Sequence, residues 1–521
     1  MLNMSIYKNK QLHSKNRCIL RKTTSNGVHF IGIGGIGVSA LAQYYLAQGD
    51  EVSGSDLVSS EITNFLRKKG AKIYIGPHKR KCLTSGVKQV IYSPAVKLSN
   101  PELKKAYKLK SNIQYPISNI QIKSYPEALG ELTKKYFTIA VCGTHGKSTT
   151  TAMISLILIK AGLNPTVILG TKLKEFGNTN FRMGNFPKHK IQDTKCPLFA
   201  HSKILIIEAD EWQASFLKYF PKIIVLTSIE REHLDYYKNL EHILKTYQKF
   251  IGLLPKDGNL VVNKDDPNVQ KVCRSRTSAS LVCRGRTSAS FYSLKQKEAK
   301  KLRKILKVPG EHNVSNALAA LSTARVLKIP DKVSFEALSE YQGAWRRFEI
   351  VEADKRGYQP RRRTFGSLRG RRGLTRKITI ISDYAHHPTE IKATLKAARE
   401  KFPNKKIWCV FQPHQYQRTY YLFQGFVKIF TGALEQKQIN KLIITDIYDV
   451  AGRENKKIKE EVNSKKMIEA INKKSGLSSF GVGVYLPKEE ILKYLKKSLE
   501  GREVVIIMGA GDIYKLGEPT T

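Results

Sequence analysis

The 521-residue chain contains no uninterrupted apolar run approaching the ~18 residues of a membrane span, so an integral membrane protein is not expected. It is short of acids, with 43 Asp and Glu against 90 Lys and Arg, a formal charge of +47. That imbalance raises nucleic acid or another polyanion as a partner. Lys is spread along the whole chain, however, and no RNA motif with interleaved aromatics occurs, so a basic surface is the plainer reading and nucleic acid an unlikely main partner. Cysteine is scarce as well: seven, an odd number without a CxxC pair, which offers no zinc site and fits a reducing compartment. Residues 1–26 carry no acid but include Lys8, Lys10, Lys15, Arg17, Arg21 and Lys22. They lack the apolar core of a secretory signal, and the expectation is a frayed basic tail. The length allows two to four domains, at about 100 to 200 residues each.

What is present is organised around Tyr136 to Thr151, YFTIAVCGTHGKSTTT. An apolar run, Phe137 to Cys142, breaks at Gly143 and Gly146, and Lys147-Ser148-Thr149-Thr150 opens a periodic apolar segment: strand, tight turn, helix. Glycines let backbone N–H groups converge on an anion, and the helix N-terminus adds its positive end. Lys147 supplies a cation and Ser148 a hydroxyl for a metal ion. The arrangement describes a nucleoside triphosphate site, shorter than G-x-x-x-x-G-K-[ST] because Val141 stands where the first Gly would be. Cys142 reads as a buried strand thiol.

Upstream, VHFIGIGGIGVSALAQ carries Gly32-x-Gly34-x-x-Gly37 between a strand and a helix expected over Val38 to Gln48, with Asp56 19 residues beyond Gly37. This is the dinucleotide-binding spacing and, taken alone, suggests a nicotinamide dehydrogenase. The same turn can hold any diphosphate at a helix N-terminus. Downstream, strands Ile204 to Ile207 and Ile223 to Leu226 run into Glu208-Ala209-Asp210-Glu211 and into Ser228 to Asp235, SIEREHLD. Acids and a histidine at the carboxyl ends of strands can hold a divalent metal beside a triphosphate.

The segment PGEHNVSNALAA places Asn313 and Asn316 at a helix start, as caps or as exposed amides for a purine edge. A tandem decapeptide, VCRSRTSASL then VCRGRTSASF over 272–291, reads as a duplicated surface hairpin or loop. Residues 355–377 are rich in Arg and Gly between two strand-like runs, the extended tip of a hairpin. The last unit alternates strand and helix in the manner of a parallel α/β sheet. Its loops hold YAHHP (Tyr384 to Pro388) and QPHQYQRT (Gln412 to Thr419), groups suited to an anionic small molecule.

GTHGKSTTT, EADE, SIEREHLD, HNVSNALAA, RRF, DYAHHPTE, FQPHQYQRT and GAGDI, in this order from about Val28 to Ile513, resemble the Mur ligase family of cell-wall amino-acid ligases. The N-terminal GIGGIG, SGSD and YSPAV segments resemble the member that takes the nucleotide sugar before any amino acid is attached. The muropeptide-recycling relative is the alternative. The resemblance implies an α/β chain of three domains after the 1–26 tail: a Rossmann-like nucleotide-sugar domain over 27–133, a P-loop-type ATPase domain over 134–345, and a Rossmann-like amino-acid domain over 346–521. It implies a cytoplasmic enzyme, monomer or homodimer, that uses ATP and magnesium to join L-alanine to the lactyl carboxylate of UDP-N-acetylmuramate through an acyl phosphate.

By the same resemblance, Gly143, Thr144, His145, Gly146, Lys147, Ser148 and Thr149 would hold ATP phosphates, Asn313 and Asn316 would face adenine, and Arg346 would steady phosphate from the domain edge. Ser148, Glu208 and His233 would bind metal, with Asp210 and Glu211 less certain. Gly34, Gly35, Ile36, Gly37, Asp56 and His78 would hold the nucleotide sugar. Tyr384, His386, His387, His414 and Arg418 would form the amino-acid pocket. Lys147, His233, Arg346, His386 and His414 would carry the catalytic roles. Lys245 or Lys249 are candidates for a carbamylated lysine. The chain departs from the family pattern at Gln415, commonly Arg, at Ser228, usually Asn, and in residues 446–454, which lack the usual proline.

Overall fold

The computed structural model describes residues 26–84, 86–111, 120–185, 203–274, 288–354, 377–450, 456–475 and 482–517. They form three sheets in succession along the chain. The first contains β1 (Gly27–Ile31), β2 (Glu51–Asp56), β3 (Lys72–Ile75), β4 (Val87–Tyr92) and β5 (Gln121–Ser124), all parallel, in the order β3-β2-β1-β4-β5. The second contains β6 (Phe137–Cys142), β7 (Thr166–Leu173), β8 (Thr179–Arg182), β9 (Ile204–Glu208), β10 (Ile223–Leu226), β11 (Asn259–Asn263) and β12 (Ser288–Tyr292), in the order β12-β11-β10-β6-β9-β7-β8. The third contains β13 (Glu349–Asp354), β14 (Lys377–Asp383), β15 (Ile407–Phe411), β16 (Lys441–Ile444), β17 (Gly483–Tyr485) and β18 (Val504–Met508), in the order β13-β14-β18-β15-β16-β17. Among the described residues antiparallel pairing is confined to β7 with β8 and β13 with β14.

Central strands are unbroken apolar runs because helices cover both faces of a parallel sheet. FTIAVC of β6, IIVL of β10 and VVIIM of β18 are buried along their whole length. The helix Lys147–Lys160 packs its apolar residues on this sheet and against the helix Glu311–Val326, whose Ala-rich face allows close approach.

In each sheet the strand that carries a glycine turn lies between two strands on opposite sides, where the direction of the strand order changes. β1 lies between β2 and β4, β6 between β9 and β10, and β18 between β14 and β15. Crevices open at such positions beyond the carboxyl ends of the strands. That topology, rather than sequence proximity, brings the acids after β9 and β10 to the two sides of the glycine turn after β6.

Several expectations are corrected here. The first helix begins at Ile36, inside the glycine turn, with Gly35 as its cap. Asn313 and Asn316 do not cap the helix Glu311–Val326: Gly310 does, and both side chains are buried in its first turns. The decapeptide duplication is not a simple surface hairpin at its described ends. Val272, Cys273 and Arg274 close the helix Pro267–Arg274, while the last residues of the second copy form the edge strand β12. Its remainder lies outside the described residues, as do the N-terminal tail and the Arg-rich 355–376 segment between the paired strands β13 and β14. Among the described residues no helix is long and apolar enough to cross a membrane, and Cys82, Cys142, Cys273 and Cys409 are free thiols.

Candidate active site

The glycine turn after β6 is shaped by contacts that exclude any side chain. Gly146 takes a left-handed φ of 80° and Gly143 a φ of 132°. A Cβ at Gly143 would collide with Thr227 Oγ1, and one at Gly146 with Asn316 Oδ1. The turn is braced from the β10 loop: Thr144 N–H donates to Ser228 O (2.8 Å), His145 N–H to Ser228 Oγ (3.0 Å), and Thr227 Oγ1 to His145 O (2.6 Å). Ser228, a departure from the family pattern, is thus used to hold the turn.

Lys147 Nζ donates to Gly143 O at 2.6 Å and to both Glu211 carboxylate oxygens at 3.2 and 3.0 Å. Burial would lower its pKa, but Glu211, Asp210 and Glu208 outweigh burial and raise it, so the ammonium is kept charged at the turn. Ser148 Oγ donates to Glu208 Oε2 (2.9 Å), and Gly170 N–H to Glu208 Oε1 (2.5 Å). Burial raises the Glu208 pKa despite these bonds.

The expected metal trio separates. Ser148 and Glu208 form one oxygen pair, while His233 groups with Asp210 and Glu211, ligand atoms all within 4.8 Å of one another. His233 sits at φ 54° with Nε2 3.7 Å from Glu211 Oε1. These donors are mostly hard oxygens, which suit a magnesium-like divalent cation. Lys245 and Lys249 are exposed on the helix Leu240–Ile251, Lys245 paired with Glu241, and neither lines the cleft.

Two cavities meet at this turn. One, of about 230 Å³, is lined by Asn263, His312, Asn313, Asn316 and Tyr341, and reaches His145, Gly146 and Arg347. Asn313 and Asn316 therefore face a cavity of the right position for a base. They are not exposed amides, since Asn313 Nδ2 donates to Pro309 O and Asn316 Oδ1 accepts from Thr150 Oγ1. Burial depresses the pKa of His312 to about 4, leaving it neutral. The second cavity, about 590 Å³, draws on all three sheet units: Ile36 and Ile62; Lys147, Glu208 and His233; His386, His414, Arg418 and Tyr514.

Arg346, expected on phosphate, lines the large cleft but is 4% exposed: its Nη2 donates to Gly509 O and to Gly511 O, and its guanidinium stacks on Tyr384 and Tyr514. It ties the start of the third unit to the loop after β18. The neighbouring Arg347 lines both cavities, with Nη2 3.4 Å from Ser148 Oγ and its guanidinium over Tyr384. Sequence reading passed over Arg347 because two adjacent arginines cannot be told apart by type. The positive φ of Arg346, 57°, turns the pair in different directions.

The side of the cleft built by the third unit is partly self-paired. Arg418, which lines the cleft, donates from Nε to Glu232 Oε1 (2.9 Å) and from Nη1 to His414 Nδ1 (2.8 Å), and its Nη2 has no partner among the described residues. His414 stacks on Tyr448 at 5.5 Å, and burial beside Arg418 brings its pKa down to about 2. Burial also lowers His386 to about 4; its Nδ1 faces Tyr384 O at 3.0 Å. Both rings are neutral hydrogen-bonding groups at neutral pH, not strong bases. His387 is a helix cap, accepting Thr389 N–H (3.3 Å) over a capping box closed by Glu390, a spacing visible in the sequence. Gln415 lines the cleft beside Arg418.

A contact not foreseen joins the central and third units. His145 Nδ1 lies 3.1 Å from Glu390 Oε1, His145 Nε2 3.5 Å from Glu230 Oε2, and Thr389 Oγ1 donates to Glu230 Oε2 at 2.7 Å. Burial opposes charge on His145, but Glu390 and Glu230 outweigh it and raise its pKa to about 10. On the first unit, Asp56, expected to hold the nucleotide sugar, accepts Gly34 N–H at 2.8 Å. Ile36 reaches the large cleft, Gly34, Gly35 and Gly37 form the turn behind it, and His78 stands beyond β3 against Glu102 (2.8 Å).

Comparison with known proteins adds to this geometry. The model of the Mur ligase family catalytic domain matches residues 27–137, that of the Mur ligase middle domain 141–324, and that of the Mur ligase glutamate ligase domain 370–511. The UDP-N-acetylmuramate–L-alanine ligase of Clostridium acetobutylicum is 38% identical, covering 96% of this chain and 98% of its own length. The enzyme of the same name from Acetivibrio thermocellus is 39% identical over 94% of each. Among crystal structures, UDP-N-acetylmuramate-alanine ligase from Thermotoga maritima superposes with a TM-score of 0.68 at 26% identity, covering 94% of this chain and 97% of that one. A murein peptide ligase from Psychrobacter arcticus shares the fold at a TM-score of 0.61 and 20% identity.

Proposed function

The chain belongs to the Mur ligase family, and on that premise we propose that it joins L-alanine to UDP-N-acetylmuramate at the expense of ATP, the first amino-acid addition in peptidoglycan precursor synthesis. The observation that carries this reading is the convergence on one 590 Å³ cleft of a phosphate turn, metal-type carboxylates, a glycine turn for a nucleotide sugar and a buried Arg–His pair. The muropeptide-recycling alternative has weaker support, because relatives with 38 and 39% identity over nearly the whole chain carry the L-alanine ligase name.

A carboxylate does not acylate an amine at neutral pH, because its oxygen is a poor leaving group; phosphorylation supplies a good one. The lactyl carboxylate of UDP-N-acetylmuramate attacks the γ-phosphate, its oxygen forming the new P–O bond as the bond to ADP breaks. The amine of L-alanine then attacks the acyl carbon and inorganic phosphate leaves. Backbone N–H groups from Gly146 to Thr149 and the Lys147 ammonium cradle the transferring group, and Arg347 faces it from the third unit. Ser148 and Glu208, with Asp210, Glu211 and His233 alongside, would hold magnesium, which neutralises charge on the phosphoryl oxygens when bound. Arg418 Nη2 receives the amino-acid carboxylate, with Glu232 and His414 fixing the guanidinium plane. Tyr384, His386 and His414 wall the small side chain. Asn313 and Asn316 frame the adenine cavity.

Phosphate release in the presence of UDP-N-acetylmuramate, ATP, magnesium and a panel of amino acids tests the proposal. Release that depends on all components and prefers L-alanine over glycine and serine is expected. Release with a tripeptide but not with L-alanine would favour the recycling reading, and none with either would overturn both.

A further inference from the structure

The glycine turn after β1 is backed by a buried carboxylate with no part in the steps above. Glu102, in the first turn of the helix Pro101–Ser111, is fully buried, a setting that glutamate rarely occupies unless paired. Asn100 starts the helix by accepting the backbone N–H groups of Glu102 and Leu103 at 2.9 and 3.2 Å. Glu102 Oε2 then accepts from His29 Nε2 at 2.8 Å and from Ser55 Oγ at 2.9 Å, while Oε1 accepts from His78 Nδ1 at 2.8 Å. His29 Nδ1 accepts from Ser53 Oγ at 2.9 Å, and Ser55 Oγ lies 3.0 Å from His78 Nδ1.

This cluster shares its backbone with the glycine turn. Ser55 O accepts the N–H groups of Gly32 and Ile33, and the next residue, Asp56, holds Gly34 through its side chain and Gly76, just before His78, through its carbonyl. Burial would raise the Glu102 pKa, but the bonds from His29, His78 and Ser55 outweigh it and bring the carboxyl down to about 2. An ionised carboxylate has no hydrogen to donate, so the hydrogen in the His78 contact sits on Nδ1. In the neutral ring Nε2 is then a bare acceptor. His78 is partly exposed, and its Nε2 has no protein partner among the described residues.

We infer that Glu102 is a positioning residue that fixes His78 as its Nδ1–H tautomer, presenting Nε2 as an acceptor to an N–H or O–H donor of the substrate's nucleoside. The inference rests on the nucleotide-sugar reading of the glycine turn. Glu102→Gln keeps the volume but offers an amide that can donate as well as accept, which releases the tautomer.

Two measurements on the full chain test it. In steady-state phosphate release, Glu102→Gln should raise KM for UDP-N-acetylmuramate roughly tenfold, the loss of about one hydrogen bond. Its kcat and its KM for ATP should stay within about twofold of wild type. In nitrogen-15 correlation spectra of histidine-labelled protein, the wild-type His78 signals, assigned by their loss in His78→Gln, should show a protonated Nδ1 and a bare Nε2. Glu102→Gln should show both tautomers. A wild-type ring protonated at Nε2 overturns the inference, as does an unchanged nucleotide-sugar KM or an equal change in every kinetic constant. If the variant does not fold, the wild-type spectrum decides alone. Because the spectrum needs no turnover, a chain that holds this tautomer yet fails to use UDP-N-acetylmuramate would count against the proposed function and not against the tautomer assignment.

Discussion

The two glycine turns, after β1 and after β6, share a backbone plan and differ in what surrounds it. Both follow a buried parallel strand at a switch in strand order and open a helix. The turn after β6 carries its own cation, Lys147, and faces Glu208, Asp210 and Glu211. The turn after β1 has no lysine or arginine within it; Asp56 occupies the Gly34 amide, and the nearby polar groups are the hydrogen-bonded network of His29, Ser55, Glu102 and His78. A glycine turn at a helix N-terminus therefore says only that an anion or a close neighbour can approach. On the proposed function, the reactive phosphate site is distinguished by the buried lysine and the metal-type acids, present at one of these two turns.

The comparison breaks most directly at Lys147. Lys147→Ala should lower kcat by about two to three orders of magnitude, as expected for loss of a group aimed at developing charge, with UDP-N-acetylmuramate binding by calorimetry retained. Intact phosphate release would show that the cation does not distinguish the turns.

A smaller effect sharpens the contrast at the glycines themselves. Gly146→Ala forces a side chain into φ 80° and against Asn316, so a stability loss of about 1 to 3 kcal/mol is expected in denaturant unfolding. Gly35 has φ −63° and its nearest neighbour to a Cβ is 3.5 Å away. Gly35→Ala should change stability by less than about 0.5 kcal/mol, and any loss it causes should appear in the nucleotide-sugar KM.

The smallest effect concerns pH. His145, in the second turn only, is bound to Glu230 and Glu390, and its pKa rises from 6.5 to about 10 on folding. A raised pKa contributes stability that is complete below about 6.5 and is lost as pH climbs through about 10. The Tm gap between wild type and Glu230→Gln should therefore narrow steadily from pH 7 to pH 10. A constant gap would show that His145 is not charged in the fold.

Much of the fold is readable in the chain because its signals are local. The runs Ile223 to Leu226, Ile407 to Phe411 and Val504 to Met508 are observed as strands with those bounds, since a fully buried parallel strand has to be apolar throughout. The site was legible as a set of residue types at strand ends, and most of them do line the two cavities. Their partners were not. Arg346 and Arg347 are equivalent by type, yet one is buried on Gly509 and Gly511 and the other faces Ser148. Arg418 lines the large cleft, but is half committed to Glu232, a pairing across 186 residues.

By itself the sequence determined the strands, the glycine turns and the family, because alternation of apolar runs with turn residues and the spacing of G, K, S and H are properties of neighbouring positions. Tertiary structure alone decided which carboxylate meets Lys147, which histidines stay neutral, and that Asp56 closes on Gly34. Those outcomes depend on β9 and β10 flanking β6, on β2 lying beside β1, and on burial that removes water from side chains far apart in the chain.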